Sequence, residues 1–242
     1  MIPRLYGLHI FVLPTMIAVL LGLHLAIVWR QLHTNYPGPG RSNQTIVGSR
    51  LWPTYMAKAI GLFFLVFAVL AALGGLMQIN PIWIYGPYNP AASLPGAQPD
   101  WYMGWEEGAL RLFPPINLHI AGYLVPEVFF PGILLPLIIF ALLYAYPFLE
   151  RWLTGDHEEH HILQLPYERP FRTALGCAVF MFLLVLLFAG GEDIIAVISK
   201  TSVVKLRTIF RVLAFVVPFL TFVIVYAACL LLQRRHSCDM RV

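Results

Sequence analysis

Long uncharged apolar runs alternate with shorter polar segments along the chain. Runs of about 17–25 residues, the length that a helix needs to cross a bilayer, occur five times. Only helices and closed barrels satisfy their backbone groups in lipid, so the pattern predicts an all-α integral membrane protein with five transmembrane helices. The first run is too long for a signal peptide, and no small-residue cleavage site follows it. The predicted spans are Leu5–Trp29, Ala59–Ile79, Val128–Leu149, Thr173–Gly191 and Val212–Gln233.

The segment between the second and third predicted spans, Asn80–Glu127, is the longest connection in the chain. Its many aromatic residues argue against a disordered linker, and its prolines argue against a helix. Because Trp and Tyr prefer the membrane interface, we expect a folded loop that lies on or dips into that layer. Long structured connections of this kind are usually functional.

The same pattern divides the chain into three parts. Residues 1–58 hold the first span and its following loop, and residues 59–149 hold two spans that flank the long connection. Residues 150–242 hold two further spans and a short basic tail. No internal repeat or low-complexity tract interrupts this order.

The low content of charged residues agrees with a membrane protein, and the spacing of the cysteines excludes several classes of cofactor. Charged residues make up 12% of the 242 residues, against roughly 25% in a soluble domain. The three cysteines, Cys177, Cys229 and Cys238, are scattered and form no C-x-x-C pair. That spacing excludes an iron–sulfur cluster, a zinc site or a covalently attached c-type haem within this chain.

The distribution of positive charge predicts an orientation. If the first span runs from outside to inside, ten lysine and arginine residues lie on inner segments and six on outer segments. By the positive-inside rule, this excess favours an external N-terminus and a cytoplasmic C-terminus. The basic cluster Lys200–Arg211 lies on the outer side in this arrangement and argues against it. Little in the sequence supports a nucleic-acid-binding patch.

Two histidines, His9 and His24, interrupt the first apolar span, and an imidazole in lipid is costly without a partner. On a helix, fifteen residues advance about 22 Å and rotate about 60° beyond four full turns. Both rings therefore lie on roughly the same face, near opposite sides of a ~30 Å hydrocarbon core. One metal ion cannot bridge them, but two flat cofactors could each take one ring, as haem iron does. Alternatively, each ring is hydrogen-bonded to a neighbouring helix.

The long connection contains the tetrapeptide Pro99–Tyr102, PDWY, which carries an unusual acid. Asp100 is the only acidic residue between Met1 and Trp105, and it lies among aromatic residues. Desolvation disfavours a charged carboxylate and makes it a better proton acceptor near neutral pH. Such a group suits a general base that takes a proton from a quinol. The alternative is a turn residue that is solvated at the interface.

Three stretches together resemble the C-terminal part of cytochrome b of the bacterial cytochrome bc complexes, and the likeness is closest to the actinobacterial quinol–cytochrome c reductase. The stretch LHIFVLP…GLHLAIVWRQLHTNYPGPG resembles the family's fourth helix, with one histidine for each haem. The stretch INPIWIYGPYNP…QPDWYMGWEEGALRLFPP resembles the quinol-oxidation loop with its P-E/D-W-Y signature. The stretch YPFLERWLTGDHEEHHILQLPYERPFRT is similar to a loop between later helices. The likeness runs from about Leu5 to Gln233.

The resemblance implies two b-type haems and two quinone sites. His9 would be an axial ligand of the outer haem iron, and His24 would be an axial ligand of the inner haem iron. His33 would contact quinone at the inner side. The family's fourth helix runs from outside to inside, in agreement with the count of positive charges.

The resemblance also implies roles in quinol oxidation at the outer face. Asp100 takes the place of the family's proton-accepting acid, and Tyr102 lines the pocket together with Pro99 and Trp101. The aspartate form of the signature is similar to that of menaquinol-using relatives, so menaquinol is the expected substrate.

The implied partners follow from what a complete cytochrome b contains. In the family, the other two axial histidines come from an earlier helix, so we expect an N-terminal cytochrome b segment or chain. The sequence is then either a fragment or one half of a split gene, and the isolated chain completes neither haem site. A Rieske-type iron–sulfur subunit, a cytochrome c subunit and a dimeric complex in the bacterial plasma membrane are also implied.

Two other functional classes stay open. In the first, the chain is a haem-free quinone-binding or structural subunit, and the histidines serve in packing. In the second it is a proton-relaying transporter, although the sequence lacks inverted repeats and paired broken helices. The run HEEHH at residues 157–161 is interpreted as a solvated loop rather than a metal site. Glu106 and Glu107 are interpreted as the polar start of an amphipathic helix rather than as proton carriers.

Overall fold

The computed structural model describes residues 2–31, 34–45, 50–76, 91, 100–158 and 160–239. The chain forms two compact units, each described here by itself. The first comprises Met1–Arg50 with Glu158–Gln164, and the second comprises Leu51–His157 with Leu165–Val242. The three-part division of the sequence stays a prediction.

Among the described residues, five helices are long and apolar enough to cross a membrane, which confirms the predicted number and the helical fold class. The last of them begins at Val203 rather than at the predicted Val212, because basic residues that interrupt the apolar run do not end the helix. Arg207 and Arg211 lie in its first turns and bind groups of neighbouring elements. The spans are Pro3–Arg30, Leu51–Leu76, Phe130–Thr154, Pro170–Gly190 and Val203–His236.

The first unit is a long helix followed by two paired loops. Asn35 donates its N–H to the carbonyl of His161 at 2.8 Å, and its own carbonyl accepts from Leu163 at 2.7 Å. The side-chain oxygen of Asn43 accepts from the backbone N–H of His161 at 3.1 Å. The helical elements are α1 (Ile2–Gly7), a π-helical turn (Leu8–Val12) and α2 (Leu13–Gln31).

The second unit contains the remaining helices and a short β-hairpin. The hairpin is antiparallel, with Leu118 opposite Val125, and Asn117 closes its base by accepting the N–H of Glu127 at 3.0 Å. In chain order the elements are a π-helical turn (Leu51–Tyr55), α3 (Met56–Leu76), a 3₁₀ turn (Trp101–Met103), α4 (Gly104–Leu112), β1 (Leu118–Ile120), β2 (Tyr123–Val125), a π-helical turn (Phe130–Leu134), α5 (Leu135–Thr154), a 3₁₀ turn (Pro166–Glu168), α6 (Pro170–Gly190), α7 (Glu192–Ser199) and α8 (Val203–Asp239).

The prediction that the long connection lacks helix was wrong for Gly104–Leu112. The stretch between Pro99 and Pro114 contains no proline, so α4 forms there without losing a backbone donor. Glu106 and Glu107 lie in its first turn, as predicted, and Arg111 lies in its last turn. These charges complement the helix dipole at both ends.

The core of the second unit lies where α4 and α8 pack against α6. Small residues dominate it, since Ala174 and Ala189 are completely buried. At the other end of α6, two ion pairs connect it with α5 and the residues that follow α5, one between Arg172 and Glu150 at 2.7 Å and one between Arg169 and Asp156 at 2.6 Å. The core side chains are Ala109, Leu112, Val185, Leu186, Ala189 and Ala214.

Glycines allow α4 and α6 to touch through their backbones. Gly104 and Gly108 lie four positions apart and so share one face of α4. A Cβ on Gly108 would overlap the carbonyl of Leu186, and a Cβ on Gly190 would overlap the carbonyl of Gly104. Small-xxx-small spacing of this kind gives the close helix contacts that are common in membranes.

The helices α2 and α3 contrast with this packed core. In α3 every residue except Met56 is exposed, and every α2 residue whose side chain is described is exposed. An apolar helix that is exposed all round needs lipid or another chain around it. Both helices therefore present surfaces that the described part of this chain does not cover.

We expect Gly108→Ala to destabilise the protein by about 1–3 kcal/mol, because the added methyl group meets the backbone of α6 rather than a movable side chain. Thermal unfolding of the purified membrane protein would measure this loss. Gly176→Ala on α6 is the matched control, since its Cβ meets no atom within 4 Å. The control should be neutral or stabilising by up to ~1 kcal/mol. Equal melting temperatures of the two variants would contradict the close contact.

Candidate functional site

The two histidines of the first span lie exposed on one helix. His9 lies in the π-helical turn and His24 lies in α2. Within the described part of the chain, neither imidazole has a hydrogen-bond partner. The packing contact that the alternative interpretation requires is thus not supplied by these residues.

Pro14 explains the wide turn that contains His9. Leu13, just before the proline, donates its N–H to the carbonyl of Leu8, five residues back. Proline lacks an N–H, and its ring crowds the carbonyl four residues before it, so the helix widens there instead of breaking. A wide turn rotates less per residue than an α-turn. The offset of about 60° expected between His9 and His24 on a regular helix is therefore reduced, and the rings lie nearer to a common face.

These two side chains fit the ligand set of a pair of flat iron cofactors. Each supplies an imidazole nitrogen, a ligand that haem iron accepts. Each ring is exposed on an apolar helix and free of described partners, so a planar group can approach it. In the described residues no cluster of three or more His, Cys, Asp or Glu side chains could hold a metal ion by itself.

Asp100 and Tyr102 form a hydrogen-bonded pair at the start of α4. The Tyr102 hydroxyl donates to Asp100 Oδ2 at 2.9 Å. The backbone carbonyl of Asp100 accepts the N–H of Met103 at 2.8 Å, which closes the turn. Both side chains are exposed, so the described residues do not supply the dehydrated setting expected for Asp100.

The hydrogen bond to Asp100, helped by the negative charge of the carboxylate, raises the pKa of Tyr102 above its ordinary value. The phenol therefore stays neutral and keeps its proton on the Asp100 side. Two further predicted residues, His33 and Pro99, and the side chain of Trp101 lie outside the described part of the chain. His9 and His24 belong to the first unit, and the Asp100–Tyr102 pair belongs to the second.

Sequence reasoning missed a group of ion pairs beside α4. Arg111 donates from Nε to Glu107 at 2.9 Å and from Nη1 to Asp193 at 3.0 Å. Partial burial lowers the pKa of Arg111, but its hydrogen bonds to the two carboxylates outweigh this effect and raise the pKa overall. Spacing alone could have suggested the Glu107 pair, because the two residues are four apart on a helix. No local signal points to Asp193.

Comparison with known proteins agrees with the resemblance carried by the motifs. Residues 1–87 match the family described as Cytochrome b(N-terminal)/b6/petB. The cytochrome bc1 complex cytochrome b subunit of Mycobacterium tuberculosis is 43% identical over 97% of this chain. The chain is a cytochrome b homologue. The subunits of the same name from Streptomyces coelicolor and Corynebacterium diphtheriae are 43% and 39% identical over 98% and 97% of the chain.

The homology covers only part of the relatives. The matched region is 42% of the length of the Mycobacterium tuberculosis subunit and 43% of the other two. The chain thus spans about two fifths of the curated relatives it matches. The helical, membrane-spanning architecture agrees with membership of this family of integral membrane proteins.

We expect Asp100→Asn to lower the pKa of Tyr102 back toward its ordinary value, since the substitution replaces the carboxylate that accepts its hydrogen bond with a neutral amide and removes the negative charge that disfavours the phenolate. An ultraviolet titration of tyrosinate would measure the midpoint. Subtracting the curve of the Tyr102→Phe protein isolates this phenol from the other tyrosines. An unchanged midpoint in Asp100→Asn would show that the two groups do not interact.

Proposed function

We propose that this chain is the C-terminal portion of the cytochrome b subunit of a quinol–cytochrome c reductase. In this proposal the complex oxidises menaquinol at the outer face of a bacterial plasma membrane and transfers electrons across it. The carrying observation is a helix long and apolar enough to span a membrane that holds two exposed histidines without a hydrogen-bond partner among the described residues, in a chain homologous to named cytochrome b subunits.

His9 would hold the outer b haem and His24 the inner one, each through one imidazole nitrogen. When bound, the two haems would accept and release single electrons, so that charge crosses the membrane. The chain's own contribution is to keep the rings on one face and to surround them with apolar side chains. The wide turn at Pro14 serves the first purpose, and the apolar sequence of α2, which is uncharged before Arg30, serves the second. The second ligand of each iron is expected from an N-terminal segment or chain.

Asp100 would accept a proton from the quinol hydroxyl. Tyr102 donates to Asp100 Oδ2, and the other oxygen, Oδ1, would receive the quinol hydroxyl, because a carboxyl group has two oxygens that accept hydrogen bonds. The neutral phenol orients the carboxylate without competing for the proton. Pro99 and Trp101 would line the same pocket, and His33 would contact quinone at the inner face.

The partners in this proposal are a Rieske-type iron–sulfur subunit, a cytochrome c subunit and the N-terminal part of cytochrome b. The proposed orientation has the N-terminus outside and the C-terminus in the cytoplasm, following the excess of positive charge on the inner segments. A dimeric complex completes the arrangement.

A haem-free structural subunit is the competing function. It would use the two histidines to pack against neighbouring helices, and the described residues provide neither ring with such a contact. The haem-binding proposal explains both the spacing and the exposure of the rings, so we favour it.

We expect the chain, co-expressed with a three-helix N-terminal partner that carries two histidines, to give two b-haem signals in reduced-minus-oxidised absorbance spectra. His9→Ala should remove the outer haem and His24→Ala the inner one, because each loses an axial ligand. His119→Ala in the β-hairpin is the matched control and should keep both. Full haem content in both helix variants would show that His9 and His24 are not haem ligands.

We expect Asp100→Asn to slow quinol oxidation by about 10²–10⁴-fold, the usual effect of removing a general base. The b-haem content should stay at the level of the unmodified complex, since Asp100 holds no iron. Steady-state turnover per b haem measures the effect, and Tyr102→Phe should have a smaller one. Equal turnover in Asp100→Asn would remove this carboxylate from the mechanism.

A further inference from the structure

The position of α4 decides where Asp100 and Tyr102 lie. The helix begins at Gly104, directly after the 3₁₀ turn that holds Tyr102. The hydrogen bond from the Met103 N–H to the Asp100 carbonyl connects the turn with the helix. Any shift or rotation of α4 therefore moves the proposed proton acceptor.

The closest contact between α4 and α6 only weakly restrains rotation and sliding of α4. At its closest points it is made by glycine backbone, at Gly104 and Gly108 against Leu186 and Gly190. Glycines bring the two helices close but provide no side chains that interlock. Rotation and sliding of α4 are therefore limited by the side chains of Ala109 and Leu112 in the core and by polar groups outside this contact.

Two consecutive acids at the start of α7 reach two different helices. Glu192 Oε1 accepts from Nη2 of Arg207 in α8 at 2.5 Å and from its Nε at 3.1 Å. Asp193 Oδ1 accepts from Nη1 of Arg111 in α4 at 3.0 Å. The first pair holds α7 on α8, and the second holds α4 on α7.

The end of α4 has a further restraint from α8. Arg211 donates from Nε to the carbonyl of Leu112 at 2.8 Å. That carbonyl is in the last turn of α4, where backbone acceptors lack helical donors. The last turn is thus held both by a side-chain ion pair and by a capped carbonyl.

Burial of the Glu192 carboxylate costs free energy, so stability alone does not explain its position. Its side chain is 1% exposed, and its Oε2 has no hydrogen-bond partner among the described residues. A buried ion pair is rarely more stabilising than an apolar contact of similar volume, whereas it does specify one arrangement. With Glu192 fixed by Arg207, the next residue, Asp193, faces Arg111.

We infer that Glu192, Asp193, Arg111 and Arg207, here the α7 ion cluster, position α4 so that Asp100 meets the quinol. The inference rests on the proposed role of Asp100 in quinol oxidation. Members of the cluster are positioning residues, and none reacts. Arg111 is suited to this role because its planar guanidinium binds Glu107 and Asp193 at once, which the single ammonium of a lysine does less well.

The test compares Asp193→Asn with Asp156→Asn in the complex assembled with its N-terminal partner. Both substitutions remove the carboxylate of an ion pair with arginine, and the two pairs lie at opposite ends of α6. In Asp193→Asn we expect kcat per b haem to fall at least tenfold with KM for quinol little changed, because small misplacements of a catalytic group are costly. Asp193→Glu should restore most of the loss, and Asp156→Asn should retain full turnover.

Amide hydrogen exchange of residues 104–112 gives a readout that does not depend on activity. In Asp193→Asn it should become about tenfold faster as the end of α4 loosens, and in Asp156→Asn it should not change. Unchanged exchange in Asp193→Asn would overturn the inference. Faster exchange with full turnover per haem would also overturn it, since α4 would then be held without being positioned for catalysis.

A complex that lacks quinol oxidation even in its unmodified form would contradict the proposed function. Exchange of residues 104–112 would then still decide whether the α7 ion cluster holds α4. A purely structural role predicts a lower yield of assembled complex, with kcat per b haem unaltered in what remains. The two failures are therefore distinguishable in the same set of proteins.

Discussion

Backbone-on-backbone packing of α4 against α6 is the contact on which the second unit depends. It is possible because Gly108 and Gly190 carry no Cβ where each meets a carbonyl of the other helix. Lipid is as apolar as the side chains, so the hydrophobic effect does not drive helices together within a membrane. Close van der Waals packing of this kind does so instead. The turn that carries Asp100 is continuous with α4, so the same contact places the proposed quinol site.

Both units place polar side chains in an apolar setting, but the two units differ in whether these side chains have a partner among the described residues. Glu192 is buried inside the chain and is paired there with Arg207. The imidazoles of His9 and His24 have no partner among the described residues, and they lie on a helix that those residues leave uncovered. In the first case, Arg207 offsets part of the cost of burying the Glu192 carboxylate. In the second case, a cofactor bound to the imidazoles would offset the cost of placing them in lipid.

Local patterns predicted much of the fold, and their failures have physical causes. The spans were found because apolar length is a local property, and Glu106 and Glu107 were correctly interpreted because charge at a helix start has a local effect. The start of α8 was predicted too late, at Val212, because the basic residues were counted as solvent-facing charges. In the site, the Asp100–Tyr102 hydrogen bond joins neighbours in sequence, yet its existence was not foreseen.

The sequence by itself determined the number of spans, the spacing of the two histidines and the presence of an acid in the aromatic loop, because each is a property of a short stretch. Tertiary structure alone decided that Arg111 meets Asp193, 82 residues away, and that Gly108 meets Leu186. Periodicity reports which face of a helix is apolar, but it does not report which other helix that face meets. That choice depends on the path of the chain, which here brings Arg111 of α4 into contact with Asp193 of α7.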